Sequence, residues 1–405
     1  MNIAIINMTC EGSTGKIMLQ LTQKARHEGH NAIAYTPYPL KHYEKTEIKR
    51  ANHIYFSSYF ERKIHNLFGR ITGFNGLLSI TGTKRLVKQL KNNNTQLIHL
   101  HNLHSYCINL PILFRYIKKQ NIQVFWTFHD CWAFTGHCPH FDMIGCDKWK
   151  TFCRNCPQYR EYPQGHIDTS SKMYRLKKKW FTGVENMTII TPSRWLADLV
   201  KESYLKDYPV KVIHNGIDLS IFKPTPSSFR EKHKISESKY IVLGVAFDWG
   251  VRKGLDVFAA LSERLDAEQY QIVLVGTSDE IDKKLPKNIL SIHKTQNQNE
   301  LVEIYTAADI FVNPTREEAL GLVNIEALAC GTPVLTFHTG GSPEILDDSC
   351  GSVIAKDDLD TMEAEIKRIC VDKPYPAKAC VRRAQEFDMN ERFEEYVKLY
   401  EQCKG

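Results

Sequence analysis

The chain has 405 residues and a net charge of +7, and 42% of its residues are hydrophobic and 24% charged. This is the composition of an ordinary soluble globular protein, with no low-complexity tract and no solenoid repeat. No apolar run approaches the roughly 18 to 20 residues that a membrane-spanning helix needs, and the N-terminus lacks the basic flank of a signal peptide. We therefore expect a cytoplasmic protein of two domains, or of one large domain with additions.

Short apolar runs of β type alternate with amphipathic helical patterns along the first half of the chain. The opening run, residues 2–7, precedes the helical pattern of residues 15–29, where Gly29 is placed as a C-cap. Ser193 is placed as the N-cap of a later helix, residues 194–202. Five further runs are strand candidates: "NAIAYT", "TQLIHLH", "IQVFWTF", "MTIITPS" and "YPVKVIHNGID".

The second half repeats this alternation after a polar connection. Residues 219–239, which include Pro224 and Pro226, are predicted to join the two halves. The strand candidates that follow are "YIVLGVAF", "YQIVLVG", "ILSIHKT", "DIFVNPT" and "TPVLTFHT".

Alternation of strands and helices over both halves predicts an α/β protein with two doubly wound parallel sheets, whose ligands bind beyond the carboxyl ends of the strands. We place the N-terminal domain at residues 1–215, with a cysteine-rich insertion at about 131–165, and the C-terminal domain at 216–385. A last amphipathic helix within 386–405 is expected to pack back on the N-terminal domain. Two such domains that face each other would form a cleft.

The charge divides unevenly between the halves. Residues 1–215 contain 30 Lys and Arg against 14 Asp and Glu, which gives +16, whereas residues 216–405 contain 23 against 32, which gives −9. Two interpretations stay open: the first half faces an anionic partner such as a phosphorylated carrier or a membrane surface, or its basic residues simply solvate one domain. The basic segment 61–70, with its apolar neighbours, fits a peripheral contact with an anionic membrane.

The turn after the first strand, "CEGSTGKI", has some features of a phosphate-binding loop. A nucleoside triphosphatase loop requires Gly where Cys10 stands and Ser or Thr where Ile17 stands. The dinucleotide fingerprint also fails, because Gly12 and Gly15 are the only glycines here. The turn therefore either faces a phosphate with the amides of the following helix, or is an ordinary turn from strand to helix.

A second glycine turn precedes a helix at residues 314–345. Gly321 opens this helix, so the amides of Gly321, Leu322 and Val323 are free to receive a diphosphate at the positive end of the helix dipole. Glu318 precedes the turn and Glu326 follows it by one and a half turns of helix. Two carboxylates beside an anion site are better suited to accept hydrogen bonds from hydroxyls, one from a sugar and one from a ribose.

Here the chain resembles a known family. "EALGLVNIEALACGTPV" resembles the E-x7-E signature of the retaining family-4 glycosyltransferases, and "GGSPEI", "HNGID" at 214–218, "RKG" at 252–254 and the opening glycine turn resemble their other motifs in the same order. The resemblance implies the GT-B fold, two Rossmann-like domains that face each other across a cleft, with a nucleotide-sugar donor held mainly by the second. It also implies transfer with retention.

The resemblance implies a role for each matching donor residue. Glu318 would contact the hydroxyls of the donor sugar and Glu326 the ribose, while the amides of Gly321, Leu322 and Val323 would bind the phosphates. Residues of the opening turn would face these phosphates from the first domain: Gly12, Ser13 and Gly15.

Positive charge for the departing diphosphate would come from Arg252 and Lys253. The family often has a further arginine six residues before this lysine, where the chain has Phe247. His129, after the strand "IQVFWTF", would touch the transferred sugar, with a purely structural histidine as the alternative. Asp130 would orient His129 or bind a hydroxyl of the acceptor.

The insertion contains four cysteines in the pattern C-x7-C-x6-C-x2-C: Cys138, Cys146, Cys153 and Cys156. Four thiolates suit tetrahedral Zn²⁺, and four protein ligands would make such a site structural because no position stays open. His137 and His140 could substitute for a cysteine, and four reduced thiols without metal are the alternative. Aromatic residues of the insertion either stack on sugars or form a local core: Trp132, Phe134, Phe141 and Trp149.

Many metal-dependent glycosyltransferases use a D-x-D site, and the chain has one at Asp358 and Asp360. These residues precede a helical pattern, so we interpret them as its capping turn. No cofactor is then expected for catalysis.

The sequence thus predicts a cytoplasmic, retaining glycosyltransferase, located at the inner face of the cell membrane if the basic segment binds lipid. It would move a hexose or related sugar from a nucleotide diphosphate to a glycan or lipid-linked acceptor in capsule, exopolysaccharide or lipopolysaccharide synthesis. One alternative is a nucleotide-sugar epimerase or a phosphorylase of the same fold. Another is a zinc-containing nucleic-acid-binding module, although no nucleic-acid motif is recognised and no nucleic-acid partner is expected.

Overall fold

The computed structural model describes residues 1–38, 52–104 and 106–403. The chain divides into two compact units, the first formed by Met1–Ile213 with Phe393–Gly405 and the second by His214–Arg392. The sequence analysis assigned all of 386–405 to the last helix and its packing on the first domain, but residues 386–392 lie in the second unit. The reason is backbone pairing, because the amide of Ile217 donates to the carbonyl of Phe387 at 3.0 Å.

The first unit contains a seven-stranded parallel sheet in the order β3-β2-β1-β4-β5-β6-β7. Its strands are β1 Asn2–Ile6, β2 Asn31–Thr36, β3 His53–Tyr55, β4 Leu97–Leu100, β5 Gln123–Thr127, β6 Met187–Thr191 and β7 Val210–Val212. The helices described within this unit are α1 Gly12–His27, α2 Tyr59–Thr72, α3 Ile80–Asn92, α4 Leu110–Gln120, α5 Ser170–Phe181 and α6 Arg194–Glu202.

Burial explains why these runs are strands. The central strands are apolar without alternation, as expected for a parallel sheet covered on both faces by helices. The predicted cap of α6 is confirmed, since the hydroxyl of Ser193 accepts a hydrogen bond from the amide of Leu196 at 3.2 Å. The prediction that the insertion aromatics form a local core is also confirmed, because all four are buried: Trp132, Phe134, Phe141 and Trp149.

The second unit contains a six-stranded parallel sheet in the order β10-β9-β8-β11-β12-β13. Its strands are β8 Tyr240–Val245, β9 Tyr270–Val275, β10 Ile289–Ile292, β11 Ile310–Asn313, β12 Val334–Phe337 and β13 Gly351–Ile354. Its helices are α7 Phe229–Lys232, α8 Leu255–Arg264, α9 Asp279–Asp282, α10 Gln298–Ala307, α11 Leu322–Ala329, α12 Leu359–Asp372 and α13 Ala377–Gln385. The prediction of two doubly wound parallel sheets is confirmed.

The last helix, α14 Met389–Glu401, begins in the second unit and continues in the first from Phe393. Its first-unit part packs on the sheet, where the hydroxyl of Tyr400 lies 2.6 Å from Nδ1 of the buried His99. The ammonium of Lys24 on α1 adds an ion pair with Glu394 at 2.9 Å.

The strand order determines where ligands can bind. In each sheet the order reverses at the centre, between β1 and β4 in the first unit and between β8 and β11 in the second. Loops leave the carboxyl ends of such strands in opposite directions and open a crevice there. None of the helices in the described ranges is both long and apolar enough to cross a membrane.

Candidate functional site

In the second unit, the loop after β11 leads directly into α11. Gly321 is the N-cap of α11 and has φ +93°, a left-handed conformation that favours glycine. The helix has no side-chain cap, so its first amides are available to a ligand. This agrees with the predicted positions of Gly321, Leu322 and Val323 at a helix start.

The space beside Gly321 is bounded by polar side chains. A methyl group placed on Gly321 would lie 3.2 Å from Nδ2 of Asn324, 3.3 Å from Cγ of Glu318 and 3.4 Å from Oγ of Ser342. The Asn324 amide accepts a hydrogen bond from Asn313 through Oδ1 at 2.8 Å, but its Nδ2 has no partner. The hydroxyls of Ser342 and Thr339 are also buried without a partner.

Buried polar atoms without a partner are costly, by about 1 to 3 kcal/mol each. Three of them near one helix start indicate a place where a ligand supplies the missing partners. The sequence analysis did not identify Asn324, Thr339 or Ser342, because the absence of a partner is visible only in the fold.

Glu318 lies beside the same helix start and pairs with Lys253. The carboxylate Oε2 of Glu318 is 2.6 Å from Nζ of Lys253, and each side chain is only 19% exposed. The glycine pair after β12 fixes the Glu318 backbone, since the amide of Gly341 donates to the Glu318 carbonyl at 3.2 Å. A methyl group on Gly340 would lie 1.7 Å from that carbonyl oxygen, which explains the glycine.

Arg252 and Lys253 lie on a 3-10 turn, Val251–Lys253. A backbone hydrogen bond joins this turn to the loop after β11. The amide of Arg316 donates to the carbonyl of Arg252 at 2.9 Å. Arg316 itself is held by ion pairs with Asp256 at 2.8 Å and Asp357 at 2.6 Å. Among the residues with described positions, no carboxylate pairs with the guanidinium of Arg252, so this charge is available to an anion.

A cavity of about 640 Å³ lies between the ends of β8 and β9 and helix α11. Val323 and Glu326 line it, and Oε2 of Glu326 accepts a hydrogen bond from the hydroxyl of the buried Tyr305 at 3.0 Å. Burial raises the pKa of Tyr305 well above its usual value, so this hydroxyl stays protonated as a donor. Phe247, which stands where the family often has arginine, also lines the cavity and is fully exposed.

The opposite wall of this cavity was not predicted. It contains Thr277, Ser278, Asp279 and His293. A signal was present in the sequence for three of them, because Thr277, Ser278 and Asp279 follow Gly276 at the end of β9, whereas His293 follows β10. Gly276 has φ +89° and a methyl group there would lie 1.8 Å from the carbonyl oxygen of Ala246, so a loop must turn sharply at this point.

In the first unit, the opening turn leads into α1. Gly12 has φ +70° at the first position of the helix, followed by Ser13. A methyl group on Gly15 would lie 2.3 Å from the carbonyl carbon of Cys10, so only glycine allows the helix to pack this close to the turn. The predicted loop residues therefore lie together at the carboxyl end of β1.

His129 follows β5 in the same unit. Its Nε2 lies 2.9 Å from Nδ1 of His101, and the two rings are stacked with centroids 5.2 Å apart. Loss of hydration lowers the pKa of His129 to about 4, which keeps the imidazole neutral at pH 7. Nδ1 of His129 can then form a hydrogen bond with a ligand while Nε2 contacts His101.

Asp130 does not orient His129 in the way that the sequence analysis considered. Its carboxylate pairs with Nε2 of His104 at 2.9 Å and accepts from the amide of Trp132 at 2.8 Å. Although burial opposes ionisation, the nearby imidazoles and these hydrogen bonds bring the pKa of Asp130 to about 2. His101 orients His129 instead.

The D-x-D residues act as the capping turn that was predicted. The carboxylate of Asp358 accepts from the amide of Thr361 at 3.0 Å at the start of α12. Asp360 pairs with Arg264 at 2.5 Å. Within the described ranges, a different group of exposed side chains brings three potential metal ligands within 4.8 Å: Asp279, Asp282 and His293.

Four cysteines of the insertion are free thiols whose residues line one small cavity: Cys138, Cys146, Cys153 and Cys156. The insertion has little regular structure, with 3-10 turns at Trp132–Phe134 and Lys148–Lys150. Thus the predicted site residues form three groups, each within one unit: the donor group in the second unit, and the opening turn with His129 and the cysteine group in the first.

Two family models match this chain. The model described as Glycosyltransferase Family 4 matches residues 14–221, just over half of the chain. The model described as Glycosyl transferases group 1 matches residues 227–387, which contain the donor group above.

Relatives cover the whole chain. The putative colanic acid biosynthesis glycosyl transferase WcaC of Escherichia coli (strain K12) is 24% identical over 436 residues, which cover 99% of this chain and 100% of the relative. The structure of sucrose-phosphate synthase from Thermosynechococcus elongatus is similar with a TM-score of 0.71 at 20% identity, covering 99% of this chain and 98% of that one. Anabaena Alr3699/HepE in complex with UDP is similar with a TM-score of 0.69 at 14% identity, covering 99% and 100%. These likenesses show a GT-B fold.

Proposed function

This chain belongs to glycosyltransferase family 4, and we propose that it moves a sugar from a nucleotide-diphosphate donor to a glycan or lipid-linked glycan in cell-surface polysaccharide synthesis. The name of the relative WcaC, which spans the whole chain, supports this class of product. The UDP bound to the structurally similar HepE supports a nucleotide donor. We place the enzyme in the cytoplasm, at the inner face of the cell membrane.

The observation that carries the donor assignment is the group of unpartnered polar atoms around Gly321. Nδ2 of Asn324 and the hydroxyl hydrogen of Ser342 would donate hydrogen bonds to phosphate oxygens, together with the first amides of α11. The diphosphate would then end beside the cavity that Glu326 lines, where the carboxylate can accept a hydrogen bond from the ribose.

The ion pair between Lys253 and Glu318 suggests how the donor is recognised. Without donor, the two charges lie 2.6 Å apart and neutralise each other. A bound diphosphate would attract the ammonium of Lys253 and the guanidinium of Arg252, and the hydroxyls of the donor sugar would donate to the carboxylate of Glu318. Lys253 would thus bind a phosphate of the donor and Glu318 a hydroxyl of its sugar. A diphosphate without a sugar would leave Glu318 without its ligand group, so the site favours a sugar diphosphate.

We propose transfer with retention by attack on the same face of the sugar. The bond between the anomeric carbon and the phosphate oxygen breaks as the acceptor oxygen bonds to that carbon, and the acceptor proton passes to the departing phosphate. Arg252, Lys253 and the α11 dipole stabilise the negative charge that develops, which is work that a metal ion performs in other transferases. The neutral His129 would donate a hydrogen bond to a hydroxyl of the transferred sugar.

Replacement of Glu318 tests this function. A panel of nucleotide sugars is first screened for the donor that raises the melting temperature most, because ligand binding stabilises the folded state. With that donor, we expect Glu318→Gln to lower kcat by about 100-fold or more while the Kd of the nucleoside diphosphate stays within about threefold. The wild-type product is expected to keep the anomeric configuration of the donor, as read by nuclear magnetic resonance.

The matched control is Glu237→Gln, since this glutamate lies in the same unit with its side chain 87% exposed. It should leave both constants unchanged. Unimpaired turnover in Glu318→Gln would refute the assignment, and an inverted product would refute same-face transfer. Isomerised donor without transfer would instead identify the epimerase alternative.

We also propose that helix α2 is the contact with the membrane that carries the acceptor. Its apolar side chains point outward along one stripe, with Phe60 72% exposed and Leu67 61% exposed, and with Ile64 and Ile71 between and beyond them. Such a stripe on the exposed face of a helix is unusual in a globular protein and is typical of helices that lie in a lipid interface.

The net positive charge on the exposed face of α2 favours binding to an anionic membrane surface. The only acidic residue of the helix, Glu61, is occupied, because its carboxylate accepts hydrogen bonds from the amides of Thr81 at 2.9 Å and Gly82 at 3.0 Å at the start of α3. Lys63 and Arg70 remain exposed beside the apolar stripe. The helix therefore presents apolar and cationic groups together, which matches anionic lipid headgroups over an acyl layer.

A further inference from the structure

The insertion of the first unit contains a group of four cysteines, apart from Cys131, that the proposed transfer reaction does not use. Although they are spread over 19 residues of sequence, Cys138, Cys146, Cys153 and Cys156 all line one cavity of about 20 Å³. A space of this size holds a single small body such as a water molecule or an ion. Packing does not require four cysteine residues around such a space, because apolar side chains would fill it better.

The backbone near the four cysteines supports thiolates, through a hydrogen bond to one sulfur and through turns that precede two of the cysteines. The amide of Gly136 donates a hydrogen bond to Sγ of Cys153 at 3.2 Å. The side chains of Cys138 and Cys156 are close enough to influence each other's ionisation, although 17 residues lie between them in the sequence. Left-handed residues precede two of the cysteines, Gly145 with φ +59° and Asn155 with φ +47°, and these turns direct the cysteines back into the loop.

A buried positive charge beside the thiols provides an independent observation. Lys177 of α5 is fully buried, and its ammonium donates to the carbonyl of Trp132 and lies 3.7 Å from the centre of that indole ring. In the described part of the chain no carboxylate forms an ion pair with it, and the ionisable groups that act on it most strongly are Cys153 and Cys138, followed by Asp130. A buried ammonium is strongly destabilising unless negative charge compensates it.

We propose that Cys138, Cys146, Cys153 and Cys156 bind one structural Zn²⁺ as four thiolates. Four thiolates and one Zn²⁺ have a net charge of about −2, which would compensate the ammonium of Lys177. All four coordination positions are filled by protein, so the ion takes no part in the transfer. We do not include His137 among the ligands, because its Nε2 contacts the carbonyl oxygen of Glu161 at 3.4 Å.

Zinc binding requires the thiols to move closer together. In a tetrahedral site with bonds of about 2.3 Å the sulfurs lie about 3.8 Å apart. Among the described residues, no three of these sulfurs are within 4.8 Å of one another, so cysteine side chains must rotate into the cavity. The bound zinc would hold the irregular loop after His129 and Asp130 in one conformation. Metal binding contributes free energy to folding, which this loop lacks because it has little regular structure.

Metal analysis of the full-length chain tests the proposal. Protein purified without chelating resin should contain one zinc per chain by mass spectrometry, and the zinc should persist through gel filtration. X-ray absorption at the zinc edge should show sulfur neighbours alone, at about 2.3 Å. Cys146→Ser and Cys156→Ser should each lower the zinc content several-fold, whereas Cys330→Ser and Cys370→Ser, at buried cysteines of the second unit, should leave it unchanged.

Three results would overturn the proposal: wild-type protein without zinc, a nitrogen or oxygen neighbour in the zinc shell, or full zinc content in the Cys146→Ser and Cys156→Ser variants. The absorption measurement uses the wild-type chain, so the proposal is decided even where a variant does not fold. Metal content is read without any donor or acceptor. The result is therefore independent of the glycosyltransferase proposal, and either can fail alone.

Discussion

At the scale of single residues, the sequence suggested the charged and glycine positions of the proposed donor site but not its neutral polar positions. Glu318 and Glu326 were recognisable from their spacing around Gly321. Asn324 and Ser342 were not, because nothing in their local sequence distinguishes a side chain with a partner from one without. A role for His129 could be proposed from the resemblance, whereas the contact of His129 with His101 joins the ends of two strands and appears only in the fold.

Buried imidazoles make the first unit sensitive to acid. Desolvation lowers the pKa of His65 to about 4, and His65 is fully buried on α2. The unfolded chain takes up a proton near pH 6.5 that the folded chain refuses until about pH 4, so the contribution of His65 to stability is complete above pH 6.5 and is lost as the pH falls through this window. We expect a loss of about 1.4 kcal/mol per pH unit from this residue.

The measurement compares wild type with His65→Asn, which cannot titrate, by urea unfolding between pH 7 and pH 4.5. The difference between their free energies of unfolding should change with pH in favour of the variant. His27→Asn is the matched control, because the side chain of His27 is 85% exposed. A parallel pH dependence in wild type and His65→Asn would show that the burial of His65 has no such effect.

At the scale of elements, the sequence predicted the central strands and missed two edge strands. Strands β1, β4 and β5 are mostly apolar and are buried along almost their whole length, so their pattern is clear. The missed strands, β3 and β13, have three and four residues and lie at sheet edges. Short edge strands bury little surface, so they carry little apolar pattern to predict them from.

Helix α2 gives the prediction that belongs to this scale. Wild-type protein should sediment with vesicles that contain anionic phosphatidylglycerol and not with pure phosphatidylcholine, and the bound fraction should fall steeply as salt is raised, because salt screens surface charge. Leu67→Glu should weaken binding by about tenfold or more, since insertion of a leucine side chain contributes about 1.5 to 3 kcal/mol.

Val371→Glu is the matched control for this experiment. Val371 is 60% exposed, close to Leu67 in exposure and chemistry, but it lies on α12 in the second unit. Its variant should bind vesicles as the wild type does. Binding that is independent of salt, or equal loss in both variants, would contradict a contact through α2.

At the scale of the whole molecule, the sequence predicted two α/β units and their approximate boundary. The residue at which the chain passes back into the first unit could not be predicted. Helix α14 is one continuous amphipathic pattern, yet it is divided between the two units at Phe393. The charge difference of +16 against −9 now has a structural context, since the exposed cationic and apolar face of α2 lies in the basic half and the proposed donor site lies in the acidic half. An anionic donor bound in an acidic half must depend on local cations and amides, not on net charge.

The most direct measurement is calorimetric titration of UDP and GDP into wild type, Gly321→Ala and Gly331→Ala. Both glycines have positive φ, +93° and +86°, and they lie at opposite ends of α11, so the two substitutions cause similar backbone strain. The account predicts that Gly321→Ala weakens binding of the preferred nucleotide by at least about tenfold, because the methyl group fills the space between Glu318, Asn324 and Ser342, while Gly331→Ala binds as the wild type does. Equal affinity in wild type and Gly321→Ala would contradict a diphosphate site at the start of α11.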